Sequence, residues 1–251
     1  MTRPIFAAAA VLLSVSTAAL AQPPSREGFQ WSLGAAVISS PEPYVGADNE
    51  TIVVPALSLS YKKFFFRGIT AGYELFERDG LTASVIARAR FASYDADDSP
   101  FLAGMEDRRK SADLGVELDW EPSRWIGFQL TPVADVLGRS DGQEIAFDVY
   151  VPLRFGPARI EPRVGALWQS SDFVDYYYGV RPEEARPGRP AFRGESTVNL
   201  GAGVVLFTPV ARRLVLQSFV RVERLGDEIE ESPIVDRKTA VTGFAALSYS
   251  F

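Results

Sequence analysis

Apolar and polar residues alternate along most of this chain. From Ile145 to Phe155 the odd positions are Ile145, Phe147, Val149, Val151, Leu153 and Phe155, while Asp148 and Arg154 stand among the even ones. Leu81, Ala83, Val85, Ala87, Ala89 and Phe91 share one face, with Arg88 and Arg90 on the other. Ala112–Trp120 sets Leu114, Val116 and Leu118 against Asp113, Glu117 and Asp119. Ile160–Trp168 opposes Glu161 and Arg163, and Leu214–Val222 opposes Arg221 and Glu223. A period of two marks a strand standing between unlike media. Further strands are expected at 29–39, 51–61, 64–76, 126–136, 196–208 and 239–251. Helix signal is thin; Val180–Ala185 reads as a turn or two inside a loop.

Breakers fall on a rhythm. Short connections at Glu77–Gly80, Glu121–Arg124, Gly156–Ala158 and Pro209–Arg212 alternate with long polar ones at Tyr94–Lys110, Ser170–Arg193 and Asp227–Arg237. That asymmetry predicts an all-β transmembrane antiparallel barrel with short periplasmic turns and longer outer loops. Strands of about ten residues suit a tilted crossing of a bilayer. Trp120, Trp125, Tyr61 and Phe64–Phe66 sit at strand ends, where barrels carry aromatic girdles. Eleven candidates conflict with the even strand number expected when both termini face the periplasm. A break of 64–76 around Gly68 gives twelve strands; loss of one N-terminal segment gives ten. The parity favours about 12, with 10 as the alternative.

The first segment is an address. Arg3, the apolar run Ile5–Val15 and Ala19-Leu20-Ala21 form a cleavable signal peptide over residues 1–21, leaving 22–251 as one outer-membrane barrel domain. The final strand places Val241, Gly243, Ala245, Leu247, Tyr249 and Phe251 on one face. A terminal Phe on such a strand is similar to the closing strand that outer-membrane proteins present to the barrel-assembly machinery.

Composition narrows the chemistry. The 251 residues contain no Cys and no His, which removes thiolate catalysis, cysteine-ligated zinc and Ser-His-Asp triads. The outer-membrane phospholipase, palmitoyltransferase, deacylase and protease families use a histidine, so no enzyme is expected, and no cofactor. The net charge of −6 argues against nucleic acid. Asp95, Asp97 and Asp98 form a solvated run or a weak divalent-cation site among lipopolysaccharide headgroups. The inward faces carry Arg88, Arg90, Asp113, Glu117, Asp119, Asp148, Arg154, Glu161, Arg163, Arg221 and Glu223, candidate lumen charges. They fit two readings, a paired polar interior or the walls of a small-solute channel.

The loops carry recognisable words: Tyr44-Val45-Gly46-Ala47-Asp48, Leu102–Glu106, Tyr177-Tyr178-Gly179-Val180 and Ser232-Pro233-Ile234-Val235. In this order they resemble the MipA/OmpV family of outer-membrane proteins, whose name-giving member is the MltA-interacting protein. The resemblance implies a non-enzymatic barrel amid outer-membrane lipid and lipopolysaccharide. It also implies a scaffold joining a lytic transglycosylase (a murein hydrolase) to a bifunctional murein synthase, a penicillin-binding protein. Other members are linked to adhesion, so an adhesin is a further alternative. The topology puts the Tyr177 and Ser232 words in outer loops. A murein enzyme would then meet Glu77–Gly80, Glu121–Trp125, Gly156–Ala158, Pro209–Arg213 or Gln22–Gly28.

Overall fold

The computed structural model describes residues 28–40, 42–47 and 50–251. The signal segment lies outside the described residues, as does Asp48. The strands are β1 (Phe29–Ser40), β2 (Glu50–Tyr61), β3 (Phe64–Arg67), β4 (Thr70–Arg78), β5 (Leu81–Arg90), β6 (Ser111–Ser123), β7 (Ile126–Asp135), β8 (Gln143–Tyr150), β9 (Leu153–Phe155), β10 (Ala158–Gln169), β11 (Thr197–Ala211), β12 (Leu214–Arg224) and β13 (Thr239–Ser250). Each pairs antiparallel with its neighbours in one sheet, and β1 pairs with β13 to close it. β8 and β9 form one crossing. Both keep the same register against β10, and the chain between them holds Pro152, which has no N–H to give the ladder. The result is a closed barrel of twelve crossings.

The count turns on Gly68. Its φ of +59° lets the chain reverse between β3 and β4, so the segment 64–76 becomes a hairpin. The opposite end of β4 turns through Asp79 and Gly80, both at positive φ, as two-residue hairpins prefer.

The alternation becomes two surfaces. Val53 is 73 % exposed, Leu200 60 % and Val164 59 %, yet all are apolar and sit mid-strand. Such a belt is stable only against lipid. Phe29, Tyr61, Phe64, Phe76, Trp120, Trp125, Phe155, Tyr249 and Phe251 are exposed around the end bearing the short turns. Trp31 stacks on Phe251 at 3.8 Å across the closing seam. The opposite face points into the barrel and holds the charges.

The structured loop elements differ from the sequence expectation. A helix, α1, covers Ser171–Tyr178, upstream of Val180–Ala185, where only a 3-10 turn forms at Pro182–Glu184. Ser170 caps α1 by accepting the Phe173 N–H, and Phe173, Val174 and Tyr177 bury one face. A single turn, α2, spans Asp227–Glu230. No helix among the described residues is long and apolar enough to cross a membrane.

Candidate functional site

The lumen is crossed by ion pairs between strands that are not neighbours. Arg88 on β5 donates from Nε to Asp113 Oδ2 at 2.8 Å and from Nη2 to Glu144 on β8. Arg90 also meets Asp113, which is fully buried. Arg221 on β12 reaches Asp148 on β8 at 2.7 Å and Glu223 at 3.3 Å. Glu161 accepts from Arg163 at 2.9 Å and from Arg159, which also pairs with Glu121. Glu117 accepts from Gln129. Buried charges survive when each is paired and hydrogen-bonded. The geometry therefore buries ten of the eleven inward charges in the lumen, Asp119 among them. Arg154 shares the inward face, opposite Arg159, but lies exposed at the short-turn rim.

Several members of this network were not singled out from the sequence. Glu144 continues the alternation of β8 one step beyond Ile145, and Arg159 stood in an alternating segment, so their signal was present. Arg67 sits in a hairpin that a single long strand had concealed. Tyr150 donates to Asp119 at 2.9 Å, a pairing that joins strands 31 residues apart and has no local signal.

The long loops fold inward over one end. Tyr44, Ala47, Tyr94, Leu102, Met105, Val180 and Ile234 form one apolar cluster, and Phe173, Val174, Tyr177, Leu225 and Ile229 a second beside it. The loop words meet here. The Val45 N–H donates to the Ile234 carbonyl at 2.9 Å, and the Tyr44 hydroxyl to the Tyr177 carbonyl. Tyr44 lies 6.0 Å from the ring of Tyr178. Ser232 Oγ donates to the Tyr178 carbonyl at 2.6 Å, and the Val235 N–H closes the Pro233 turn on Ser232. Gly179 ends α1, where a Cβ would lie 2.2 Å from the Asp175 carbonyl oxygen. Gly46, at φ +73°, takes a left-handed turn against Ser99.

A buried ion pair fastens this cap. Arg108 grips Glu184 with two hydrogen bonds of 3.1 and 3.0 Å. Burial alone would raise the Glu184 pKa. The Arg108 hydrogen bond and the N–H groups of Glu106 and Arg181 outweigh it and hold the carboxyl below its ordinary value. Burial pushes the Tyr44 and Tyr94 hydroxyls well up, so both stay neutral donors. Asp98 is raised by its own burial, against a bond from the Asp95 N–H, with Asp95, Asp107 and Asp97 adding repulsion. Among the described residues no acidic cluster has the form of a metal site.

The other end is open in charge. Four of the five short turns bear or adjoin cations, Lys62 and Lys63, Arg78, Arg124, and Arg212 with Arg213, while Arg154 lies on β9 just inside the fifth. All but Lys63 are exposed. Glu77, Asp79 and Glu121 are the acids beside them, so this rim is basic on a chain whose net charge is −6.

The fold and sequence have relatives. The outer membrane protein YiaT of Escherichia coli K12 is 27 % identical over 231 residues, covering 90 % of this chain and 93 % of that protein. The MltA-interacting protein of the same strain is 27 % identical over 228 residues, covering 88 % and 90 %. OmpV of Vibrio cholerae is 29 % identical over 162 residues, 63 % of this chain and 62 % of OmpV. An outer membrane channel of Pseudomonas putida F1 overlays with a TM-score of 0.47 at 12 % identity, covering 92 % of this chain and all of that one. The family model for the MltA-interacting protein MipA matches residues 33–251, so this chain belongs to the MipA family of outer-membrane β-barrel proteins.

Proposed function

We propose that this barrel is a non-enzymatic docking platform in the outer membrane, presenting its short-turn rim to a periplasmic murein-remodelling enzyme. The observation that carries this reading is the exposed Lys and Arg at four of the five short turns, with exposed Arg154 beside the fifth. Clustered charge of one sign steers and orients an oppositely charged partner. The partner is an acidic face of a lytic transglycosylase or of a bifunctional penicillin-binding protein, in keeping with a relative named for its interaction with MltA. The individual turns are short, so the interface is small unless several engage together.

The barrel in lipid nanodiscs should retain a purified transglycosylase at micromolar concentration. Binding should weaken steeply with salt and fall in a K62E/K63E/R212E/R213E variant. A partner that is never retained, or that binds this variant equally, overturns the reading. A conducting pore is the competing role. The cross-lumen pairs and inward-folded loops oppose it, and a wild-type barrel that gives steady conductance steps in a planar bilayer would favour it.

A further inference from the structure

One hairpin is far shorter than the rest. β3 has four residues and β4 nine, whereas β1 and β2 have twelve each. β3 pairs with β2 only over Ser58–Tyr61. Above that, the Gly68 N–H bonds the Leu57 carbonyl at 3.0 Å, and no strand among the described residues pairs with the remainder of β2 on this side. The unpartnered edge from Thr51 to Ala56 runs about 17 Å at a strand's rise per residue.

This edge is framed. The β3–β4 tip at Arg67–Thr70 forms the sill, and the Ile69 carbonyl ties it to the Ala89 N–H of β5. The lintel is the loop after β5, whose Ser99 Oγ donates to the Val45 carbonyl at 2.6 Å. Because the Leu57 backbone faces the gap, so do the backbones of Pro55, Val53 and Thr51, two residues apart each. Pro55 has no N–H to offer a strand on this side. The edge thus lacks one of the donors a pairing strand would use.

The wall behind the gap differs from the rest of the lumen. Val53 and Leu57 point to lipid, so Ile52, Val54 and Ala56 point inward, and Ile38 and Phe244 flank them from β1 and β13. These side chains remain partly accessible, while the charged residues facing them across the barrel are almost wholly buried. Free space thus lies along an apolar wall next to an opening that faces the bilayer. Beyond it, nine inward carboxylates (Glu74, Asp113, Glu117, Asp119, Glu121, Glu144, Asp148, Glu161 and Glu223) face seven guanidiniums (Arg67, Arg88, Arg90, Arg154, Arg159, Arg163 and Arg221).

The geometry points to a lateral window between β2 and the β3–β4 tip. It admits a membrane amphiphile whose acyl tail lies along Ile38, Ile52, Val54 and Ala56 and whose cationic head meets the carboxylate-rich lumen. With the long loops closed over the outer end, the window gives this wall a path to the bilayer.

Photolabelling of the barrel in bilayers tests this. The probes are two single-tailed amphiphiles with a diazirine in the acyl chain, one headed by trimethylammonium and one by sulfate. The proposal expects adducts on the inward Ile52, Val54 or Ala56, more with the ammonium probe, and their loss in an A56W variant that still labels at Val53. Heat-modifiable gel mobility confirms that this variant folds. Labels confined to outward residues such as Val53 and Leu57 overturn the window. Equal or stronger inward labelling by the sulfate probe overturns the assigned ligand class. A disulfide between copies of a V53C variant, showing the edge zipped against a second barrel, also overturns it.

Discussion

Arg108 and Glu184 lie 76 residues apart and meet in a two-pronged, buried ion pair that ties the loop after β5 to the loop after α1. Removing one partner strands the other charge away from water, which costs about 3 kcal/mol or more. An R108A variant should therefore loosen the cap while the twelve crossings persist. Limited proteolysis should cut within 95–110 and 181–193 in the variant and spare the wild type, with unchanged heat-modifiable mobility. Equal resistance in both proteins would refute the role given to this pair.

The same pair sets a pH response. The Glu184 carboxyl is held below its ordinary value of 4.5 in the folded cap. A depressed carboxyl stabilises the folded form fully above its unfolded pKa, and this is lost as pH falls through the folded one. Protection of the Val180 and Phe192 amides against exchange, relative to an unfolded amide at the same pH, should hold from pH 7 to pH 5 and fall below about 4; the two bond each other's carbonyls. An E184Q variant should lack that acid-dependent step.

Inside the barrel, Asp113 is the carboxylate shared by Arg88 and Arg90. D113N leaves two guanidiniums to share Glu144, so unfolding in denaturant should shift by about 3 kcal/mol. D113N/R90L, which removes a cation with the anion, should recover part of that loss. A variant as stable as wild type would show that the pair is dispensable.

At the closing seam a Cβ on Gly34 would lie 1.9 Å from the Leu247 carbonyl oxygen, inside any permitted contact. G34V should prevent β1 from seating against β13. The folded, heat-modifiable band should be lost, whereas G243V, whose Cβ would meet nothing within 4 Å, should keep it.

The crossings were legible because each strand separates lipid from a polar interior, and that boundary prints itself locally as alternation. Ile145–Phe155 and Leu81–Phe91 needed no partner to be read. Gly68 was legible as a break only through parity, since β3 offers four residues and too few alternations to stand alone. α1 was missed because its cap at Ser170 and its apolar face, Phe173 to Tyr177, fall in a polar stretch shaped like a loop. The lumen charges could be assigned to a face but not to partners. Arg88 finds Glu144 across 56 residues, and Arg154 obeys the same alternation yet ends at a wetted rim. The cap was the least legible part. Its words were visible as words, but Tyr44 and Ile234 become neighbours only once the barrel has brought its loops together.

The closing seam also bears on how the chain folds. Ser32 pairs with Ser250, so this ladder joins the two ends of the described barrel. Every other hairpin can zip as its second strand arrives, but this contact has the highest sequence separation in the sheet and must wait for the last residues. Until then β1 and β13 are bare edges, and bare edges template aggregation. Kinetic partitioning at a single late step, more than the strength of any ladder, then decides the yield of native barrel. Substitutions in β13 should act on folding rate before they act on equilibrium stability.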